Sequence, residues 1–133
     1  MAEPMTKDFL AVLDRVCSEH GWTRDRYTLE VPVESGGRQT VLLDAFDFED
    51  EELVRVASPI GPMELTDPLH MNTALRLNYG LPHGSLAMSE DRLVLVDTLL
   101  ADEPDAEEIE AVIEYLAETA EYFERSIFGG DEI

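Results

Sequence analysis

The segment "ADEPDAEEIEAVIEYLAETAEYFERSIFGG" near the C-terminus constrains the fold most. Ile109, Val112, Ile113, Leu116, Ala120, Phe123 and Ile127 recur at three- and four-residue steps, so a helix lines them up in one apolar stripe. Glu107, Glu110, Glu114, Glu118 and Glu121 fall opposite. Glu110, Glu114 and Glu118 are like charges at four-residue spacing, and each pair opposes the helix by roughly 0.2–0.5 kcal/mol. Glu121 and Arg125 form the favourable pair of that spacing, and Glu107 and Glu108 gain from the helix dipole. The helix must therefore be held by burying its stripe, where each large side chain contributes roughly 1.5–3 kcal/mol. The rest of the chain has to supply the covering surface.

A sheet is the natural candidate. "RYTLEVPVESGGRQTVLLDAFDFEDEELVRVASPI" carries three strand patterns. Tyr27, Leu29, Val31 and Val33 alternate with Thr28, Glu30, Pro32 and Glu34, which predicts a half-buried strand. Pro32 cannot donate to a ladder, so this strand is expected at a sheet edge. "ESGGR" supplies a turn. In the second strand Val41, Leu43 and Ala45 share one face, and Leu42, Phe46 and Phe48 share the other. Such a strand is covered on both faces or offers one to a partner; for those three, ordinary core beneath a helix is the simpler reading. "DFEDEE" makes the next turn, and the third strand is expected to stop at Pro59.

Helices flank these strands. "TKDFLAVLDRVCSEHGW" predicts a first helix, capped by Thr6 and ended by Gly21, with Phe9, Leu10, Leu13, Val16 and Cys17 on one face. A second, capped by Thr66 or Asp67, runs through "LHMNTALRLNYG" to Gly80. "GSLAMSEDRLVLVDTL" then alternates as two strands around the turn Ser89–Arg92. The expected fold is α+β, a single antiparallel sheet with helices in the order α-β-β-β-α-β-β-α. With no linker or repeat, residues 1–133 form a single domain.

The formal net charge is -21, with Lys7 the sole lysine. Such a surface repels nucleic acid phosphates and anionic lipid, so neither is an expected partner. It also suits high salt, where self-repulsion is screened. Cys17 is the single cysteine, so a reducing cytoplasm is the simplest compartment. "MAEPMTKDFLAVL" lacks the basic and apolar regions of a signal peptide, and no run approaches the roughly 20 apolar residues of a membrane helix.

"LPHGSLAMSEDRLVLVDTL" holds His83, Ser85, Ser89, Glu90, Asp91 and Asp97, the raw material of a hydrolytic site. The nucleophile elbow G-x-S-x-G is absent, and triads assemble from distant segments, so a hairpin is the simpler reading. His20, His70, His83 and Cys17 have no zinc-ligand spacing, and "DAFDFEDEE" is not a calcium loop. No catalytic, metal or cofactor site is expected, and no enzyme.

The element order, the acidity and "TALRLNYGLPHGSLAMSEDRLVLVDTLL" give the chain a family likeness. Leu75, Leu77 and Asn78 end a helix before a small-residue strand, a polar turn and the apolar "RLVL". In this it resembles the type III secretion chaperones of the Tir-chaperone (CesT-like) fold, shared by YbjN-type bacterial proteins. The resemblance implies a cytoplasmic homodimer that holds an extended segment of a secreted partner along apolar grooves and strand edges, by strand addition and side-chain pockets. On that pattern Leu29, Val31, Val33, Leu42, Phe46 and Phe48 are candidate partner-binding residues. Leu69, Met71, Leu75, Leu77 and Met88 are candidate dimer-interface residues. The alternative is a stand-alone YbjN-like regulator without a secretion client, and an acidic DNA mimic ranks below both.

Overall fold

In a computed structural model that describes residues 5–62 and 68–128, the first helix, α1 (Lys7–His20), starts where Thr6 accepts a hydrogen bond from the Phe9 N–H at 3.2 Å. It ends at Gly21, whose φ of 71° is left-handed, and Trp22 N–H donates back to the Cys17 carbonyl at 3.0 Å. Both caps fall where the sequence places them. Four strands follow: β1 (Thr23–Asp25), β2 (Thr28–Pro32), β3 (Arg38–Phe48) and β4 (Glu51–Pro62). Then come α2 (Pro68–Tyr79), β5 (Ser85–Ser89), β6 (Arg92–Leu100) and α3 (Ala106–Phe123), which continues as a π-helical turn over Glu124–Phe128. The expected caps Thr66 and Asp67 lie outside the described residues.

The strands form one antiparallel sheet in the order β1-β2-β3-β4-β6-β5. This is the expected α+β architecture with one short strand, β1, added ahead of β2. β1 has no apolar alternation to announce it; Arg24 instead ties it to α1, donating from Nε and Nη2 to the two Asp14 carboxylate oxygens at 2.7 and 3.1 Å. The sheet edge therefore belongs to β1 and not, as expected, to β2. Yet β1 reaches only Thr28–Glu30, so Pro32 sits beyond its partner and no ladder bond is forfeited.

The core lies between one sheet face and the pair α1 and α3. Asp105 caps α3, its Oδ1 accepting from Glu107 N–H at 2.9 Å. Ile109, Ile113, Leu116, Ala117, Ala120 and Phe123 are buried against Leu29, Val31, Val41, Leu43, Val54, Val56 and Leu95 of the sheet, with Phe9, Leu13 and Val16 of α1 alongside. Part of the acidic stripe is anchored too. Glu118 Oε2 accepts from the Glu34 N–H at 2.9 Å, and Glu121 accepts from Ser35 Oγ at 3.2 Å, so α3 grips the β2–β3 turn. The expected Glu121–Arg125 pair forms at 3.0 Å.

β4 runs past Pro59, where it was expected to stop. β3 pairs with β2 through Arg38–Leu42 and with β4 through Leu42–Phe48, so the strands β3 and β4 part beyond the pair Leu42–Ala57. On that side Pro59 has no ladder bond to lose, and β4 continues on β6 through a register shift between Pro59 and Gly61. Side chains bridge the parting. Gln39 Nε2 donates to Ser58 Oγ and to the Pro59 carbonyl at 3.1 and 2.9 Å, and Ser58 Oγ donates to the Thr40 carbonyl at 2.7 Å. Gln39 and Ser58 are the buried polar side chains among the described residues, and both are satisfied.

Two predictions follow from this backbone. Ser58→Ala leaves Gln39 and the Thr40 carbonyl short of a partner and should lower stability by about 1–3 kcal/mol in urea unfolding. The β3–β4 hairpin turns on Glu49 and Asp50 at φ of 50° and 70°, a geometry that favours glycine. Asp50→Gly should raise the urea midpoint, by about 1 kcal/mol in stability.

Candidate protein-binding face

Alternation sends every second residue of β3, β4 and β6 away from α1 and α3. The register brings Leu42, Ala57 and Val96 into one row, and Phe46, Leu53 and Leu100 into another. Between them runs a polar row, Asp44, Arg55 and Thr98. Arg55 donates to Asp44 Oδ2 at 3.1 Å and lies 4.1 Å from the centroid of the Phe46 ring, so the polar row is stitched to the apolar one. Phe48 is 59% exposed, Leu100 51% and Leu42 38%, while Phe46, Leu53, Ala57 and Val96 are half-buried. The simpler sequence expectation, core beneath a helix, does not describe Leu42 and Phe48. Where β3 and β4 part, a cleft of about 560 Å³ opens beside Leu42, with Arg38, Thr40, Pro59 and Arg92 on its walls.

The other candidate partner-binding residues lie elsewhere. Leu29, Val31 and Val33 are buried in the core, because β2 turns its odd-numbered side chains toward α1 and α3. They offer no contact surface in the folded chain. Of the dimer-interface candidates, Leu75 is 69% exposed and Met71 half-buried; with the exposed Tyr79 they follow a four-residue step along α2. Leu77 and Met88 pack against the chain's own core instead. The side chain of Leu69 lies outside the described residues.

Both sheet edges are partly closed to strand addition. Tyr27 and Val33 direct backbone groups to the β3 side, to the Leu43 N–H and the Gly37 carbonyl. By alternation Thr28, Glu30 and Pro32 face the β1 side, and past the end of β1 that edge presents proline, with no N–H to give. At the far edge, Asn78 of α2 accepts from the Leu86 N–H at 2.8 Å and donates to the Leu86 carbonyl at 3.4 Å. One side-chain amide thus takes the place of a neighbouring strand on β5.

The hydrolytic raw material is dispersed. His83 is exposed and stands edge-on to Tyr115, with centroids 5.7 Å apart. Ser85 pairs with Val96 at the start of β5, Asp97 accepts from its neighbour Thr98 N–H, and Ser89–Arg92 is the β5–β6 turn. No hydrogen bond among the described residues joins these groups. Cys17 is buried and its thiol is pushed above the usual range, by burial first and by Asp14 second, a setting that disfavours the nucleophilic thiolate. Among the described residues, His20, Glu110 and Glu114 form a group of metal-ligating type within mutual reach. Sequence spacing gave no hint of it, because α1 and α3 lie at opposite ends of the chain.

No protein-family profile matches the chain, and no curated protein is a significant match. Among solved structures the chain is similar to a chain of the crystal structure of the ExsC–ExsE complex, with a TM-score of 0.64 and 15% identity. The match covers 94% of this chain and 97% of that one. At this identity the likeness is one of fold, and it extends over nearly the whole of both chains.

Asn78→Ala should leave the Leu86 backbone groups without their side-chain partner. We expect a loss of about 1–2 kcal/mol in urea unfolding and faster amide exchange at Leu86, read by hydrogen–deuterium exchange.

Proposed function

We propose that this chain is a small acidic chaperone or adaptor without catalytic activity, which binds an extended segment of a partner protein and acts as a homodimer. The observation that carries the reading is the pair of apolar rows on β3, β4 and β6, in which Leu42 and Leu100 are exposed, together with the exposed Phe48 on the same face, opposite Glu51 at the hairpin end. Exposed apolar side chains grouped on one face are a feature of interaction surfaces. The whole-chain fold likeness to a protein solved as a complex supports the same reading.

The binding mode follows from the edges. With Pro32 facing the edge where β1 ends and Asn78 occupying the Leu86 backbone at the other, strand addition is obstructed at those two places. The partner segment therefore lies on the sheet face, with apolar side chains on the two rows. Basic side chains in the segment suit the net charge of -21. The dimer contact belongs to α2, through Met71, Leu75 and Tyr79. None of the described helices is long and apolar enough to cross a membrane; the cytoplasm is the compartment this reading assigns.

The test separates stability from association. Phe48→Asp, at a side chain 59% exposed, should move the unfolding free energy by no more than about 0.5–1 kcal/mol, and Leu42→Asp, at one 38% exposed, should lower it by about 1–2 kcal/mol, while each abolishes partner binding in the folded chain. Leu75→Asp should convert the dimer to a monomer in light scattering with the circular dichroism spectrum unchanged. A wild-type chain that is monomeric at all concentrations would remove the homodimer from the account. Partner binding that survives both sheet-face substitutions would remove the face.

A further inference from the structure

The helical layer, on the opposite side of the sheet from the apolar rows, brings together three side chains that the proposed function does not use. His20 closes α1, and Glu110 and Glu114 stand one turn apart on α3. His20 Nε2 is 3.1 Å from Glu110 Oε2, and one ligand atom from each of the three residues lies within 4.8 Å of the others. The imidazole is set in place from behind, by a tilted stack on Trp22 with ring centroids 5.4 Å apart, and Trp22 is itself buried. Glu114 is exposed and has no ion pair among the described residues. A single imidazole nitrogen serves one carboxylate, so a second like charge remains unbalanced one helical turn away.

We propose that His20, Glu110 and Glu114 bind a divalent transition-metal ion of the Zn²⁺ class, with water completing the coordination. A neutral imidazole and two carboxylates together balance a 2+ charge. One nitrogen and two oxygens suit zinc and its neighbours, whereas magnesium and calcium prefer oxygen alone. Tetrahedral bonds of about 2.0–2.2 Å set ligand atoms roughly 3.3–3.6 Å apart. The His20–Glu110 spacing is already close to that, and rotation of the partly exposed glutamates closes the remainder. The negative field of the whole chain raises the cation concentration at the site. The bound ion links the end of α1 to the middle of α3 and relieves the repulsion within the acidic stripe. It is a staple between the two helices that cover the core, and ion binding adds to folding stability.

Titration calorimetry of the full chain with zinc chloride, in a buffer that does not chelate, tests this directly. The expected result is one zinc ion per chain, with affinity reduced about tenfold or more by His20→Ala and by Glu114→Gln, a loss on the scale of removing a ligand-site contact. Glu114→Gln changes an exposed side chain and keeps the test valid if His20→Ala perturbs the fold. His83→Ala and Glu107→Gln should bind as the wild type does. Zinc should also raise the melting temperature of the wild type and not that of the two site variants. Absence of zinc binding, equal binding by the site variants, or displacement of zinc by an equal concentration of magnesium would each overturn the proposal.

Discussion

Burial of the α3 stripe against the sheet holds the two layers together and sets which way every strand faces. Ile109, Ile113, Leu116, Ala117, Ala120 and Phe123 are all nearly inaccessible, and the sheet residues beneath them come from β2, β3, β4 and β6. Roughly 1.5–3 kcal/mol for each large side chain outweighs the few tenths per like-charged glutamate pair on the outer surface. Once α3 and α1 occupy one face of a single sheet, the alternation of every strand is fixed. Val54 and Val56 turn in; Arg55 and Ala57 turn out.

The second face then carries whatever apolar residues the strands place there, and β3 places Leu42, Phe46 and Phe48. Here the polar row of Asp44, Arg55 and Thr98 divides two apolar rows. The edges carry the complementary restriction. Pro32 withholds an N–H where β1 ends, and the Asn78 amide occupies the backbone of Leu86. Both features obstruct edge pairing, which would aggregate the chain with itself, and on the proposed function they leave the face as the docking surface.

Much of this was legible in the sequence, because it is written in local periodicity and caps. Thr6, Gly21, the α3 stripe and the alternation of β2, β3, β5 and β6 lead directly to their elements. β1 was not legible, since three residues held by an Arg24–Asp14 pair leave no periodic trace. The continuation of β4 past Pro59 was hidden for a related reason: a proline stops a strand only where a neighbour needs its N–H, and β3 has already turned away toward β2. For the candidate face, strand parity separated Leu42, Phe46 and Phe48 from Val41, Leu43 and Ala45. It did not say which face the helices would cover. The candidacy of Leu29, Val31 and Val33 rests on the edge position and strand addition expected of their strand; β1 takes that edge, and their side chains are core. The grouping of His20, Glu110 and Glu114 depends on the packing of α1 against α3, and no local pattern encodes that.

On the proposed function, the β3–β4–β6 face holds a segment of another protein. A photo-crosslinking amino acid placed at position 48, in cells that express the full chain, reads that contact directly. The expected result is a discrete adduct with another protein, mapping to a single extended segment of it, and no adduct from the same probe placed at the exposed position 107 on α3. Adducts confined to copies of this chain, or equal and diffuse labelling from both positions, would contradict it.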